Sequence, residues 1–406
     1  MISKGIISVL MLLLSCFKTA WFSAPAPAQM AAANVQAAEI TYVSYTYGEA
    51  SDGQKEFPTE PGKKLVLDME TGASLTIQGW EKNSISVQLN RKGRDDRNSE
   101  LNYKQTPEGL EISSEYQGDR GSYSSDLDLE IMVPSRYNIE IDSSGGDLNI
   151  TNVDGNISGK TMGGELTLAE LKGNLKLTTM GGDISLKDSV VDGEVKTMGG
   201  DVTLQDVSGT VEGSTMGGNV VYNNVKKNAA SSVKKEVKVN SMGGEIKVDE
   251  APYGADVKTM GGDIEVHSAS EYVKAETMGG NINIDAVDGW IRAKTMGGDV
   301  IANMVGSASK DKRDVDITSY GGDITLTVPE GLPMNFDIEL AYTKNREGDY
   351  KIISDFAMDQ KESSGWDDHD GTPRRYINGT GSVNGGSNTI KIRTINGDVR
   401  IKKAGK

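Results

Sequence analysis

Chemistry has few places to start in this chain. Its 406 residues include one cysteine, Cys16, and two histidines, His267 and His369. His369 lies in Trp366-Asp367-Asp368-His369-Asp370, where an imidazole meets several carboxylates and a metal or a general base could be assembled. The adjoining Ser363, Ser364, Gly365 and Gly371 mark this stretch as a solvated loop, so no site is expected there. His267 stands alone in an alternating stretch and reads as an exposed strand residue. With these numbers neither a Cys/His metal cluster nor a disulfide framework can be built.

Two other residue types recur at fixed spacing around Gly-Gly pairs. After each pair comes Asp147, Glu165, Asp183, Asp201, Asn219, Glu245, Asp263, Asn281, Asp299 or Asp323; before most of them stands Met162, Met180, Met198, Met216, Met242, Met260, Met278 or Met296. Acids held in register would repel by roughly 1 kcal/mol per neighbouring pair even in water. The expected compensation is hydrogen bonding from each acid's own turn, helped by Lys160, Lys196, Lys258 and Lys294. A row of weak Ca²⁺ sites is the alternative. The Gly that calcium-binding β-rolls need at the fourth position is aliphatic here, so no metal ligand is assigned. For the methionines the first expectation is that flexible thioethers fill a corner; an exposed apolar stripe for a partner or for self-association and soft-metal capture are the alternatives. No catalytic or cofactor-binding residue is assigned either.

The elements that position these residues follow from the spacing. Gly-Gly pairs begin at 145, 163, 181, 199, 217, 243, 261, 279, 297 and 321, an 18-residue period broken only by steps of 26 and 24 residues. So strict a period is a constraint on stacking, and the longer steps, at 226–236 and 307–313, behave as loops bulging from one coil. Within each repeat the fourth residue is aliphatic and the sixth nearly always so, as in Leu148 and Ile150 or Ile264 and Val266, which is the period of a strand with one buried face. One 18-residue unit buries too little to fold alone, so the units stack. The spacing predicts an all-β fold: a parallel β-solenoid of about ten 18-residue coils, with glycine at tight corners that often need positive φ.

Around residues 142–330, which hold the repeats, lie two β-rich segments. Residues 39–141 read as an N-terminal cap over the first coil, and 331–406 as a C-terminal cap with a mobile loop at 359–376. Asn396-Gly397-Asp398-Val399 echoes the repeat turn and could supply a last coil. Residues 1–28 read as a secretory signal, an apolar run Ile6 to Leu14 followed by Ala24-Pro25-Ala26-Pro27-Ala28. Cleavage near Ala28 competes with lipidation of Cys16 in Leu13-Leu14-Ser15-Cys16. Phe17, Lys18, Trp21 and Phe22 are unlike the polar tether of a lipid anchor and favour cleavage. No later stretch is long and apolar enough to span a bilayer.

The Pro61-Gly62-Lys63-Lys64-Leu65-Val66-Leu67 opening, Gly79-Trp80-Glu81-Lys82, Val133-Pro134 before Ser143-Ser144-Gly145-Gly146-Asp147, the Thr-x-Gly-Gly-Asp repeats and the closing Thr394-Ile395-Asn396-Gly397-Asp398-Val399 carry a resemblance. From about Phe57 to Lys402 the chain resembles the bacterial putative-adhesin family of β-strand-repeat domains of unknown function. The resemblance implies architecture and supplies no catalytic residues to transfer; the 26- and 24-residue repeats depart from its spacing and could hold this member's own binding surface.

Function is weighed from these parts. Lys and Arg number 43 against 59 Asp and Glu, and the net charge of −16 disfavours nucleic acid and anionic membranes as partners. The expectation is an exported, non-catalytic envelope or surface protein, periplasmic, on the outer membrane or extracellular, whose rigid face binds a protein or glycan. A carbohydrate-active β-helix enzyme is the alternative, since such folds carry clustered carboxylates; yet acids recurring at equivalent positions lack the unlike environments that separate acid from base. An envelope-stress regulatory scaffold binding another exported protein is the third possibility.

Overall fold

Alternation within each repeat sets the fold. Leu148 and Ile150 are buried while Asn149 and Thr151 are only partly covered, and the pattern returns in Leu166–Ala169, Ile184–Lys187 and Val202–Gln205. The computed structural model describes residues 42–44, 53–91, 99–116, 127–226, 236–309, 312–346, 348–369 and 371–405. The proposed signal and Cys16 lie outside them, as does most of the first insertion. All described residues belong to one unit, Ile40–Lys406. No α-helix occurs among them.

Each coil contributes one strand to each of two parallel sheets. In the sheet that follows the Gly-Gly turns, Leu148 pairs with Leu166, Leu166 with Ile184, Ile184 with Val202 and so on to Ile324. The other sheet stacks Asp154–Thr161, Lys172–Thr179 and Val190–Lys196 in the same way. Like side chains therefore lie above one another, and the columns of Leu, Ile and Val meet between the sheets as one core.

The corners differ from the sequence expectation. A methyl built on the second glycine of a pair would stand 2.0 Å from the carbonyl oxygen one coil below at Gly182, and 2.2 to 2.3 Å from it at Gly200, Gly218, Gly262 and Gly298. Close backbone stacking therefore requires glycine there. Among the glycines of this turn column only Gly72, Gly146 and Gly164 have left-handed φ, at 78°, 94° and 86°. Left-handed backbone instead occupies the opposite corner, at Asn152, Glu170, Asp188, Asp206 and Asn224, with φ of 47° to 57°. After the first insertion that corner is lost, and the strands lengthen to Ile246–Ala251, Ile264–Ala269 and Ile282–Val287.

The first insertion also opens a seam. Val211–Ser214 meets Val237–Asn240 only at Ser214 and Asn240. Tyr222, standing where other coils place an aliphatic residue, turns its hydroxyl into the gap: it accepts from the Gly213 N–H (2.6 Å) and donates to the Val211 carbonyl (3.3 Å). Burial pushes that phenol far above its ordinary pKa.

Both ends are threaded out of order. Lys64–Met69 lies parallel between Gly109–Tyr116 and Asn138–Ser143, and Ser74–Trp80 between Leu127–Pro134 and Leu148–Thr151. The turn joining them, Thr71-Gly72, heads the glycine column. At the other end Asn388–Ile395 lies between Val315–Ser319 and Met334–Thr343, and Val399–Lys403 between Ile324–Val328 and Ile352–Ser354. Asn396-Gly397-Asp398 thus continues the column, Gly397 stacking on the Gly322 carbonyl, so the repeat gains a coil at each end. Outside them antiparallel strands close the stack: Ser84–Arg91 and Ser99–Thr106 at one end, Arg374–Val383 and then Asp359–Glu362 at the other. The 359–376 segment, expected as a loop, therefore begins and ends in strand, because its backbone pairs with Met334–Thr343 through Arg374–Val383.

Candidate functional site

The repeated turn Thr-Met-Gly-Gly-Asp is built from its hydroxyl outward. Thr179, Thr197, Thr215, Ser241, Thr259, Thr277, Thr295, Ser319 and Thr394 are buried. Each donates to the carbonyl of the second glycine one coil below, at 2.7 to 3.1 Å. Several of the same oxygens accept a glycine N–H of their own turn, as Thr215 does from Gly217 (3.3 Å) and Gly218 (3.1 Å). The hydroxyl column satisfies polar backbone that stacking would otherwise bury unpaired.

The residue after Gly-Gly clamps the next coil. Asp183 Oδ1 accepts the Asp201 N–H at 2.8 Å, Asp201 that of Asn219 at 2.7 Å, Asp263 that of Asn281 at 2.6 Å and Asp299 that of Asp323 at 2.8 Å. Asn219 and Asn281 do the same for Glu245 and Asp299 without adding charge. The compensation thus comes from the neighbouring coil's backbone, where the acid's own turn was expected. Nor do the expected lysines reach this row. Lys160 pairs with Asp142 (3.0 Å), Lys196 with Glu194 (2.6 Å) and Lys258 with Glu276 (3.4 Å), while Lys294 lies 6.0 Å over the Tyr320 ring. Arg400 instead holds Asp323 (2.9 Å) and Asp398 (2.6 Å).

With the hydroxyl inside and the acid engaged, methionine is left on the outer surface. Met162 through Met296 are 43% to 62% exposed, which corrects the expectation that they fill a corner. The signal for this was the alternation itself: Leu175, Leu177 and Thr179 point inward, so Met180 must point out. Backbone bonds of 3.2 Å from the Met260 N–H to the Met242 carbonyl and from Met278 to Met260 fix the spacing. Met260, Met278 and Met296 line a shallow groove with Lys258, Glu276 and Lys294. Ser144 and Tyr320 end the column.

The other candidates are dispersed. His267 accepts or donates one bond with Asp285 at 3.0 Å on the outer face of the solenoid, and that contact raises its imidazole pKa above the ordinary value. Asp367, Asp368 and His369 bring ligand atoms together but all three are exposed. The His369 N–H and ring hold the Asp367 carboxyl below its usual pKa, and Asp370 lies outside the described residues. Sequence reasoning missed Arg313, fully buried in the second long repeat, which reaches Asp288 and donates to the Val305 carbonyl at 2.8 Å.

A family profile, Toastrack DUF4097, matches residues 62–402. No curated protein sequence matches the chain. Two solved structures are similar: a putative cell adhesion protein from Clostridium sporogenes, at 11% identity and TM-score 0.17 over 87% of this chain and 99% of that one, and a putative adhesin from Bacteroides fragilis, at 11% identity and TM-score 0.18 over 86% and 96%. At those scores neither carries an argument about this chain.

Proposed function

The chain belongs to the Toastrack DUF4097 family, and from that premise we propose that it is an exported, non-catalytic binding scaffold of the cell envelope or surface that presents its solenoid face to a protein or glycan. The observation that carries this reading is the sameness of the coils. Acids and hydroxyls recur at equivalent positions and are spent on holding the next coil, whereas catalysis needs unlike environments gathered at one level. Rigidity supports binding in turn, since a preformed face loses little freedom when a ligand docks.

Export rests on the leader-like residues 1–28, with a free N-terminus near Ala28 or an acylated Cys16 as its two forms. Screening the purified mature chain against neutral and acidic polysaccharides and envelope extracts tests the function: binding without turnover is the expected result, and turnover of any polysaccharide overturns it. Fractionating native cells and weighing the mature N-terminus tests the location; recovery in the cytoplasm with Met1 intact rules export out.

A further inference from the structure

Eight thioethers, each at least 43% exposed, run in a single file along the turns. Their turns are held by the Thr and Asp columns, and Ser144 and Tyr320 occupy equivalent places. The file is continuous across the first insertion, because Gly244 stacks on the Gly218 carbonyl as closely as elsewhere, with a built methyl at 2.0 Å. We propose that the column from Met162 to Met296 is a binding strip for a soft monovalent cation, Cu(I) or Ag(I), each ion held between the sulfurs of successive coils.

Geometry and donor chemistry agree. Coils stack about 4.8 Å apart, and two metal–sulfur bonds the length of a zinc–thiolate bond, roughly 2.3 Å, placed end to end span about 4.6 Å, the linear arrangement that two-coordinate d¹⁰ ions favour. Three rotatable bonds let each methionine close the difference. Neutral thioethers select soft ions over Ca²⁺ or Zn²⁺, whose preferred donors are oxygen, nitrogen or thiolate. The net charge of −16 favours cations in general; beside the strip itself Glu276 stands with Lys258 and Lys294, so selection rests on the thioethers and not on local charge. A protein partner fits less well. The strip is one side chain wide and about 34 Å long, far short of the roughly 800 Å² each side of a stable interface covers. The proposal is independent of the adhesion reading and stands or falls separately from it.

The test titrates the full mature chain with Ag(I) in chloride-free buffer and compares a variant carrying Met198→Leu, Met216→Leu, Met260→Leu and Met278→Leu. Several ions per wild-type chain, most of them lost in the variant at an unchanged melting temperature, is the expected result; the histidines are common to both proteins and cancel, as does Cys16 where the mature chain keeps it. On the unmodified chain, Ag(I) should slow peroxide oxidation of the column methionines about tenfold, with Zn²⁺ giving no protection. Equal Ag(I) binding by the two proteins, or no protection from peroxide, overturns the proposal. So does metal-free self-association that the variant abolishes, which assigns the strip to a second copy of the chain.

Discussion

At Thr215 one hydroxyl serves three backbone groups, donating to the Gly200 carbonyl at 2.8 Å and accepting from Gly217 and Gly218. Thr215→Val keeps the shape and removes all three bonds, so urea unfolding should show a loss of about 1 to 3 kcal/mol; an unchanged midpoint would remove the hydroxyl column from the list of what holds the turn. His267 offers a different check. Its hydrogen bond to Asp285 raises the imidazole pKa, so protonation favours the folded state. This contribution is present below the unfolded value and lost as pH rises through the folded one. In an NMR titration its midpoint should lie above the reference of about 6.5 and move down in Asp285→Asn; a wild-type midpoint at or below the reference contradicts the contact. At this scale the sequence was only half legible. The positions of the methionines and acids were plain, but their partners belong to neighbouring coils 18 residues away, and local spacing pointed instead to each acid's own turn.

At the scale of the turn, adjacent glycines should behave oppositely. Gly181 has open space, with its nearest contact 3.8 Å away, whereas a methyl on Gly182 would meet the Gly164 carbonyl oxygen at 2.0 Å. Gly181→Ala should change stability by at most about 1 kcal/mol, while Gly182→Ala should cost about 2 to 4 kcal/mol. Thermal melts of the pair decide it, and equal losses would mean that the corners are not held by stacking. The strands themselves were legible, because period-two alternation in Leu148-Asn149-Ile150 and its successors forces one face inward. The left-handed corner at Asn152, Glu170, Asp188, Asp206 and Asn224 was legible only in part. Asn and Asp favour such a φ and recur there every 18 residues, but glutamate does not; at Glu170 the stacked coils impose it.

At the scale of the whole molecule, the out-of-order threading buries the first and last coils inside the stack. Repeat counting foresaw a final turn at Asn396-Gly397-Asp398, but its place between earlier coils depends on pairing across 75 residues, such as Ile324 with Val399, which no periodicity encodes. Hydrogen exchange should therefore protect the amides of Asn388–Ile395 and Val399–Lys403 as strongly as those of central coils, against the usual fraying of chain ends. Fast exchange there would show that the last coil lies on the outside. The same threading has a mechanical meaning. Because Val399–Lys403 is flanked by parallel strands on both sides, a pull along its length loads two rows of bonds together, in shear, where an outermost strand could be peeled one bond at a time. A column fastened in this way can be tethered by its tail and still carry tension without unravelling from that end.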